Sequence, residues 1–405
     1  MTRRLTITQS EVATWLDCEM RAALRYEHRL GRPEAPVGAR HVGSAMHEAL
    51  RAAYATWAEM GSSAPEGTVF HAALNEANLR LDAVRDEALD TLDLFEGGEE
   101  LADQVRAEHE GAVAGLALYL DEVFARDVHA YYPLAVEQAF RVPVVTDAGH
   151  DRYLVTLEGV FDLVLQRRAD RALVVRDHKT VTGAADTYDV RFGLDLQLPA
   201  YLYALGQLFP GARATCAQFV AVSQSPPSVP KTILDGTVSV AKIATTRQAY
   251  EAACEAQSEP EWLAKGRAAG GAKADAAEQR WRELREKQRR LAEGLPTTLA
   301  RWIAVHEHEY DPRDVEAVRG TLHEVANRVR LVRRGELTPQ RNPRSCAILS
   351  CAFASPCGMG RGVEEVVALA LDGGDFAQGE TRHREVADAG APWEPGKAGA
   401  LPALR

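Results

Sequence analysis

The clearest pattern of hydrophobic and polar positions lies between Tyr153 and Lys179. Two runs rich in valine and leucine flank a short polar segment, residues 167–171, and this arrangement predicts a β-hairpin. With the turn centred on Ala169–Asp170, Asp162 and Asp177 face each other across the two strands, with Cβ atoms about 5 Å apart. Two carboxylates so placed repel each other unless a cation lies between them.

Lys179 follows Asp177 by two residues and therefore points to the same face of the hairpin, about 7 Å further along. Two carboxylates and a lysine on one face predict a metal site with a catalytic cation beside it. Val160 and Val164 share the face of Asp162, where an unpaired carboxylate would be costly. The simpler alternative for Asp177 and Lys179 is an ion pair at the surface.

Helical periodicity precedes the hairpin. The first predicted helix begins at Thr8 with a capping box, extends to residue 26 and carries Cys18. The second spans residues 43–60 and carries His47 at the edge of its apolar stripe. A lone histidine in that position is usually structural, so its spacing alone does not identify a ligand.

Further strands and a helix flank the hairpin. Residues 135–145 predict a strand that makes a three-stranded meander with the hairpin, and residues 215–222 predict another strand. Before that last strand, residues 195–208 predict a helix. On this helix Gln197 and Tyr201 are four positions apart and share one face.

Two long charged stretches predict solvated helical insertions. A later helix, at residues 315–334, is predicted to end at Gly335. These assignments divide the chain into six segments: the N-terminal part of the core (1–60), a helical insertion (61–130), the sheet and helix of the core (131–235), a second helical insertion (236–312), a C-terminal helix with a cysteine cluster (313–361) and a partly disordered tail (362–405).

The chain has 405 residues, 46% of them hydrophobic, and a net charge of −11. No stretch has the apolar segment of a signal peptide or the length of a membrane span, so we expect a cytoplasmic protein. A nucleic-acid surface must be local, because the field of the whole molecule repels a polyanion. Six arginines predict such a phosphate track, with a solvated basic helix end as the alternative: Arg328, Arg330, Arg333, Arg334, Arg341 and Arg344.

The six cysteines are too few and too scattered for a disulfide scaffold. Cys346, Cys351 and Cys357 nevertheless lie close together in NPRSCAILSCAFASPCG. Three thiolates at this spacing predict a metal or cluster site that lacks one ligand. Buried cysteines that bind nothing are the alternative.

The order of the motifs resembles that of the PD-(D/E)xK nuclease superfamily. The similarity is to its RecB-like branch, which includes the C-terminal nuclease domains of RecB and AddB and the CRISPR-adaptation exonucleases. The resemblance covers the predicted core and implies an α/β fold: an αβββαβ core with a mixed central sheet and helical insertions. The matching motifs are GSAMHEAL around His47, EGVFDLVL around Asp162, VVRDHKT around Asp177 and Lys179, and DLQLPAYLYAL around Gln197 and Tyr201.

The resemblance also implies roles for individual residues. Lys179 would orient the attacking water or stabilise developing negative charge. Gln197 and Tyr201 would hold a DNA phosphate. Glu137 is an outer-shell possibility, and Glu158 is a weaker candidate. Ligands for Mg²⁺ or Mn²⁺ are implied at four positions: His47, Asp162, Asp177 and the backbone carbonyl of His178.

A four-iron four-sulfur cluster is a further implication of the resemblance. In the AddB-like and CRISPR-adaptation branches, one N-terminal and three C-terminal cysteines hold the cluster, which joins the ends of the domain. The gap between Cys346 and Cys351 is longer than is usual in the family. Zn²⁺ bound by the same thiolates is the direct competitor. The implied ligands are Cys18, Cys346, Cys351 and Cys357.

Together these patterns predict a metal-dependent DNA nuclease. We expect an exonuclease more than an endonuclease, acting on single-stranded DNA or duplex ends in recombination, repair or phage DNA processing. The chain has no G-x-x-x-x-G-K-[ST] motif, so any helicase motor would belong to a separate helicase or recombination partner. The alternative is an inert nuclease fold that binds DNA or serves as a scaffold in a helicase–nuclease complex. The intact set of Asp162, Asp177 and Lys179 argues against that alternative.

Overall fold

The structure is a computed structural model that describes residues 4–31, 39–61, 64–92, 98–144, 154–188, 196–225, 227–241, 244–344, 351–360, 362–373, 376–379 and 391–395. The chain divides into two compact units. The first comprises residues 1–179, 189–220 and 305–405, and the second comprises residues 180–188 and 221–304. Within the described residues, no helix is long and apolar enough to cross a membrane.

A mixed sheet contains the predicted meander. Strands β3 and β5 are antiparallel to β4, whereas β1 is parallel to it, and the sheet continues from β5 to β6 and β7. Strands β2 and β8 form a separate antiparallel pair. The strands are β1 (Arg4–Thr8), β2 (Leu30–Gly31), β3 (Tyr131–Val144), β4 (Leu154–Arg167), β5 (Leu173–Val181), β6 (Cys216–Ser223), β7 (Ile303–Glu309) and β8 (Ala377–Gln378).

The register of the β4–β5 hairpin is the one that the sequence predicts. Leu163 lies opposite Arg176 in the ladder between the two strands. The ladder ends at this pair, one position before Asp162 and Asp177, which the same register places opposite each other. The predicted meander is therefore confirmed, and it brings the two aspartates onto neighbouring strands.

Four strands, β1, β2, β7 and β8, lie where the sequence predicts none. β1 precedes the first helix and pairs with residues 154–158 of β4. It is too short for periodicity to identify. β7 occupies part of the stretch predicted as the second helical insertion, 236–312. Its sequence, IAVHEHE, has several polar residues that are uncommon in strands, and they conceal its alternation.

Helices pack against the sheet and form both insertions. The main core joins apolar side chains of α1, α7 and α11 to those of β3, β4 and β5. Helices α4–α6 lie within the range of the first predicted insertion, 61–130, and α8–α10 lie in the second unit. The helices are α1 (Gln9–Asp17), α2 (Glu19–Ala22), α3 (Ala39–Met60), α4 (Glu66–Leu92), α5 (Gly98–Tyr119), α6 (Ala125–Ala130), α7 (Gln197–Leu208), α8 (Arg247–Glu255), α9 (Glu261–Ala269), α10 (Gly271–Glu293), α11 (Pro312–Arg333), α12 (Ala354–Met359) and α13 (Val363–Asp372).

The first predicted helix begins as expected but is not continuous. The Oγ1 atom of Thr8 accepts a hydrogen bond from the backbone N–H of Glu11 at 3.2 Å, which confirms the N-cap. The helix is interrupted at Cys18, whose backbone is extended with φ −157° and ψ 108°. Helix α2 and a π-helical turn, Ala23–Glu27, follow the interruption. The predicted cysteine ligand therefore lies at a break in the helix.

Part of the range predicted as a partly disordered tail, 362–405, is folded, while the partial disorder itself stays a prediction. Helix α13 forms within that range, and Val366 from its apolar face is buried in a hydrophobic cluster. Further on, the backbone N–H of Trp393 donates to the carbonyl of Ala139 at 2.8 Å, and the N–H of Arg141 donates to the carbonyl of Trp393 at 2.8 Å. These two hydrogen bonds pair Trp393 with β3 beside Phe140. A local sequence pattern does not reveal a partner so far away along the chain.

Candidate active site

Three potential metal ligands come together from α3, β3 and β4. One ligand atom from each of His47, Glu137 and Asp162 lies within 4.8 Å of the other two, and this is the only such group of three in the part of the chain that the structure describes. The Nδ1 atom of His47 is 3.5 Å from Oδ2 of Asp162 and 3.8 Å from Oε1 of Glu137. One imidazole nitrogen and two carboxylate oxygens suit Mg²⁺ or Mn²⁺.

Glu137 is closer to the centre of the site than its predicted outer-shell role suggests. Its φ of 46° lies in the left-handed region, which is rare for residues other than glycine and is often found at functional sites. Its two chain neighbours pair with the two neighbours of Asp162, so Glu137 lies opposite Asp162. The weaker candidate, Glu158, instead forms a 2.5 Å ion pair with Arg141.

Asp177 is held by the other predicted residues. The Nζ atom of Lys179 is 2.6 Å from Oδ2 of Asp177, and Nε2 of Gln197 donates to Oδ1 at 2.5 Å. Gln197 also accepts a hydrogen bond from Lys179 at 3.1 Å and donates one to the hydroxyl of Tyr201 at 3.1 Å. Asp177 is only 1% exposed, so these contacts fix its carboxylate.

The peptide group of His178 links the two halves of the site. Its N–H donates to Oδ2 of Asp162 at 2.9 Å. Its carbonyl oxygen lies 2.9 Å from Nε2 of His47, and because a carbonyl can only accept, that nitrogen carries the proton. The bond therefore turns Nδ1 of His47 toward the carboxylates. The role of the His178 carbonyl as a metal ligand stays a prediction.

Burial and like charges perturb the protonation of the site. Burial raises the pKa of Asp162 although His47 opposes the rise, and Glu137 adds to it. Burial raises the pKa of Asp177 to about 7 despite the nearby Lys179. Burial lowers the pKa of His47, but the Asp162 carboxylate and Glu137 outweigh it and raise that pKa to about 9. A divalent cation would favour ionised carboxylates and an unprotonated Nδ1.

A buried ion pair lies behind the site. Arg176 is 1% exposed, and its guanidinium donates to Asp127 of α6, with Nη2 2.9 Å from Oδ1. It also donates to the hydroxyl of Tyr54 at 2.9 Å. The Tyr54 hydroxyl is 2.9 Å from that of Tyr119, which in turn is 2.8 Å from Nε2 of His178. Burial lowers the pKa of His178 well below its usual value, so the imidazole is neutral.

Sequence reasoning missed this network. Its only local signal is an arginine within the hydrophobic run of β5, next to Asp177 but on the opposite face. The partners Tyr54, Tyr119 and Asp127 lie on helices 49 to 122 residues away along the chain. The network ties the first insertion to the strand that carries Asp177 and His178.

Three of the predicted cluster ligands lie in one region. Cys18 and Cys357 belong to the same hydrophobic cluster, Cys351 packs against it, and none of the three forms a disulfide among the described residues. The segment that leads to the cysteines docks on the helix break, since the N–H of Met20 donates to the carbonyl of Gln340 at 3.0 Å. The fourth ligand, Cys346, lies outside the described residues.

The predicted arginine track is partly engaged within the protein. Nε of Arg328 donates to Glu19 at 2.6 Å, and Nε of Arg333 donates to Glu27 at 2.6 Å. Arg341 donates to the carbonyl of Gly360. These contacts join the end of α11 and the loop beyond it to other segments of the first unit. Phosphate binding stays a prediction for all six: Arg328, Arg330, Arg333, Arg334, Arg341 and Arg344.

The mixed sheet, the three clustered ligands and the adjacent lysine define a metal-dependent nuclease. A family model of the PD-(D/E)XK nuclease superfamily matches residues 6–358, so the chain belongs to this superfamily. A search of curated proteins found no match to the chain. The α/β fold with helical insertions that the sequence predicts is thereby confirmed, and the protein is a nuclease hydrolase of a divalent-metal family.

The buried network predicts a large effect of Asp127→Asn on stability. The substitution removes the charge that compensates a fully buried guanidinium, so we expect the free energy of unfolding to fall by about 3–5 kcal/mol. Urea unfolding followed by circular dichroism measures the change.

The matched control is Asp103→Asn, which breaks an ion pair with Arg106 whose aspartate side chain is 82% exposed. Exposed pairs contribute about 0–1 kcal/mol. Equal effects of the two substitutions would show that the Arg176 network does not contribute specially to stability.

The position of Glu137 predicts an effect of Glu137→Gln on metal affinity. Because the substitution removes a ligand charge while keeping the size of the side chain, we expect the Kd for Mn²⁺ to rise at least about tenfold, or about 1.4 kcal/mol. Isothermal titration calorimetry measures the Kd. Glu110→Gln, at an exposed position of α5, should leave it unchanged. An unchanged Kd for Glu137→Gln would show that Glu137 is not a direct metal ligand and has only an outer-shell role.

Proposed function

We propose that the protein is a RecB-like DNA exonuclease that uses Mg²⁺ or Mn²⁺ to hydrolyse phosphodiester bonds in single-stranded DNA or at duplex ends. The observation that carries the proposal is the placement of Lys179 and Asp177 next to the three clustered ligands. The exonuclease assignment and the expected role in recombination, repair or phage DNA processing rest on the resemblance of the motifs to that branch. A separate helicase or recombination partner would then supply DNA unwinding.

The donor set of the site fits a hard divalent cation. His47, Glu137 and Asp162 would hold the ion, with Asp177 as a further ligand once its carboxylate turns from Lys179. Such an ion, when bound, polarises a phosphoryl oxygen and lowers the pKa of a bound water. It also compensates the repulsion among the buried carboxylates. Burial is the main cause of the raised pKa values of Asp162 and Asp177, and the repulsion adds to it.

The protein's own groups would orient the reactants. Lys179 lies within hydrogen-bonding distance of both Asp177 and Gln197, so its ammonium group is held in place. From there it would hold the attacking water or stabilise negative charge on the phosphoryl oxygens. Gln197 and Tyr201 share one face of α7 next to Lys179 and would contact the substrate phosphate. The His178 peptide would keep Asp162 and His47 in their orientations.

Lys179→Ala tests the enzymatic function against the inert-scaffold alternative. Because the ammonium group would act on developing charge, we expect DNA degradation to fall by about 10²–10³-fold. The assay uses end-labelled single- and double-stranded DNA with Mg²⁺ or Mn²⁺.

Lys265→Ala is the matched control, because Lys265 makes only an exposed pair with Glu261 on α9. Its activity should equal that of the wild type. DNA degradation that survives the Lys179 substitution would refute the proposed mechanism. Circular substrates, which an exonuclease cannot degrade, separate exonuclease from endonuclease action.

We further propose that Cys18, Cys346, Cys351 and Cys357 hold a four-iron four-sulfur cluster. The proposal is supported by the shared environment of Cys18, Cys351 and Cys357 and by the docking of the preceding segment on the break at Cys18. Such a cluster would join the N-terminal and C-terminal ends of the first unit. The competing assignment is a structural Zn²⁺ ion bound by the same four thiolates.

The metal content of anaerobically purified protein tests this assignment. We expect broad absorbance near 400 nm together with about four iron atoms per chain, and both signals should fall in Cys351→Ser. Cys254→Ser, at a half-buried position of α8 in the second unit, is the matched control. Stoichiometric zinc without the absorbance would exclude the iron–sulfur cluster.

A further inference from the structure

A cavity of about 210 Å³ opens beside the candidate metal ligands. Glu137 and Asp162 form one wall, and Tyr201 contributes to the lining. The start of α1 forms another wall through Gln9 and Ser10. A single water needs only about 10–15 Å³ of such space, so the cavity has room for a much larger group.

The start of α1 offers hydrogen-bond donors to this cavity. Thr8 caps the helix by accepting from the N–H of Glu11, the third residue of the first turn. The backbone N–H groups of Gln9 and Ser10, the first two residues, have no carbonyl partner within the helix. They carry the partial positive charge of the helix N-terminus. Anions are the ligands that such donors favour.

Gln9 gives a second and independent indication of a ligand. The residue lines the cavity although it is only 8% exposed. Among the residues that the structure describes, its side-chain amide has no hydrogen-bond partner. An amide that makes no hydrogen bond within the described part of the chain keeps its donors and its acceptor for a ligand in the cavity. A purely structural role would be filled better by an apolar side chain of the same size.

We propose that Gln9 and the first-turn amides of α1 form a subsite for a backbone phosphate of the DNA strand, adjacent to the phosphate at the metal ligands. This inference rests on the proposed nuclease function and deepens it. Glu137 and Asp162 make the cavity unfavourable for a free anion, so the phosphate would enter as part of a strand whose neighbouring phosphate lies at the metal. The subsite has neutral donors, which do not pair with those carboxylates.

Ser10→Asp gives the sharpest test, because it affects folding and binding in opposite directions. An aspartate in the first turn is favourable for the helix, so the protein should be as stable as the wild type or more so. The same charge would repel a phosphate. We expect the Kd for a fluorescein-labelled single-stranded oligonucleotide to rise at least about tenfold, measured by anisotropy with Mn²⁺ in the Lys179→Ala background, where the strand is not degraded.

The matched control is Gln248→Asp. Gln248 is the exposed second residue of α8, a helix that begins, like α1, with a threonine cap whose hydroxyl accepts from the third residue at 3.2 Å. The Gln248→Asp substitution adds the same charge at the same helical position as Ser10→Asp does. The affinity for the oligonucleotide should not change.

Gln9→Leu tests the side chain itself. We expect KM for the oligonucleotide in the otherwise wild-type enzyme to rise about fivefold or more, with kcat within about twofold and Mn²⁺ affinity unchanged. Gln207→Leu, at a half-exposed position of α7, is the control. Unchanged KM and oligonucleotide Kd in both Gln9→Leu and Ser10→Asp would refute the subsite.

The same experiments distinguish this result from failure of the proposed function. A wild-type enzyme that degrades DNA, with both Gln9→Leu and Ser10→Asp unimpaired, would refute the subsite alone. A wild-type enzyme that does not degrade DNA would refute the proposed function. The anisotropy measurement would then still decide whether these residues bind a strand, and loss of affinity in Ser10→Asp but not in Gln248→Asp would support them.

Discussion

The repulsion among three carboxylates on neighbouring strands is the constraint on which the rest of the site depends. Glu137, Asp162 and Asp177 follow one another across β3, β4 and β5. Two unit charges about 5 Å apart repel by roughly 3 kcal/mol at an effective dielectric constant of about 20. The fold places a cationic partner at each end of this row: His47, with its raised pKa, faces Glu137 and Asp162, and Lys179 contacts Asp177. A bound divalent ion would take over much of this compensation, which couples metal binding to the position of Lys179.

Strand β5 contributes side chains that shape the site from both faces of the sheet. Asp177 points to the site, whereas its neighbours Arg176 and His178 point to the buried side. The Arg176–Asp127 pair and Tyr119 anchor that side to helices of the first insertion, and Tyr54 anchors it to α3. The peptide of His178 is thus fixed by its own side chain, and this peptide orients Asp162 and His47. The charge pattern suggests only a solvated insertion. Its helices nevertheless pack behind β5 and stabilise the active site from that side.

The period of a strand explains which parts of the site were predictable. Alternation and a polar turn fix the register of a hairpin, so the neighbourhood of Asp162, Asp177 and Lys179 follows from local sequence. Helical spacing likewise places Gln197 beside Tyr201. The positive φ of Glu137 and the pairing of Arg176 with Asp127 depend on tertiary contacts that no local pattern encodes. The same holds for β1, which needs β4 as a partner, and for the residues around Trp393, which pair with β3.

The neutrality of the remaining polar groups around the site follows from the same repulsion. A lysine or arginine close to the carboxylates pairs with them, as Lys179 does with Asp177, and then occupies the position that a metal or a phosphate requires. Under the proposed function, groups for the substrate would donate hydrogen bonds without carrying charge, a condition that Tyr201, Gln9 and the first amides of α1 meet, whereas the amide of Gln197 already donates to Asp177 and Tyr201. The charged arginines lie elsewhere, at the end of α11, where Arg328 and Arg333 pair with Glu19 and Glu27. Binding by neutral donors and a metal ion is short-ranged, which is how a chain of net charge −11 could hold a polyanion at one place without attracting it over its whole surface.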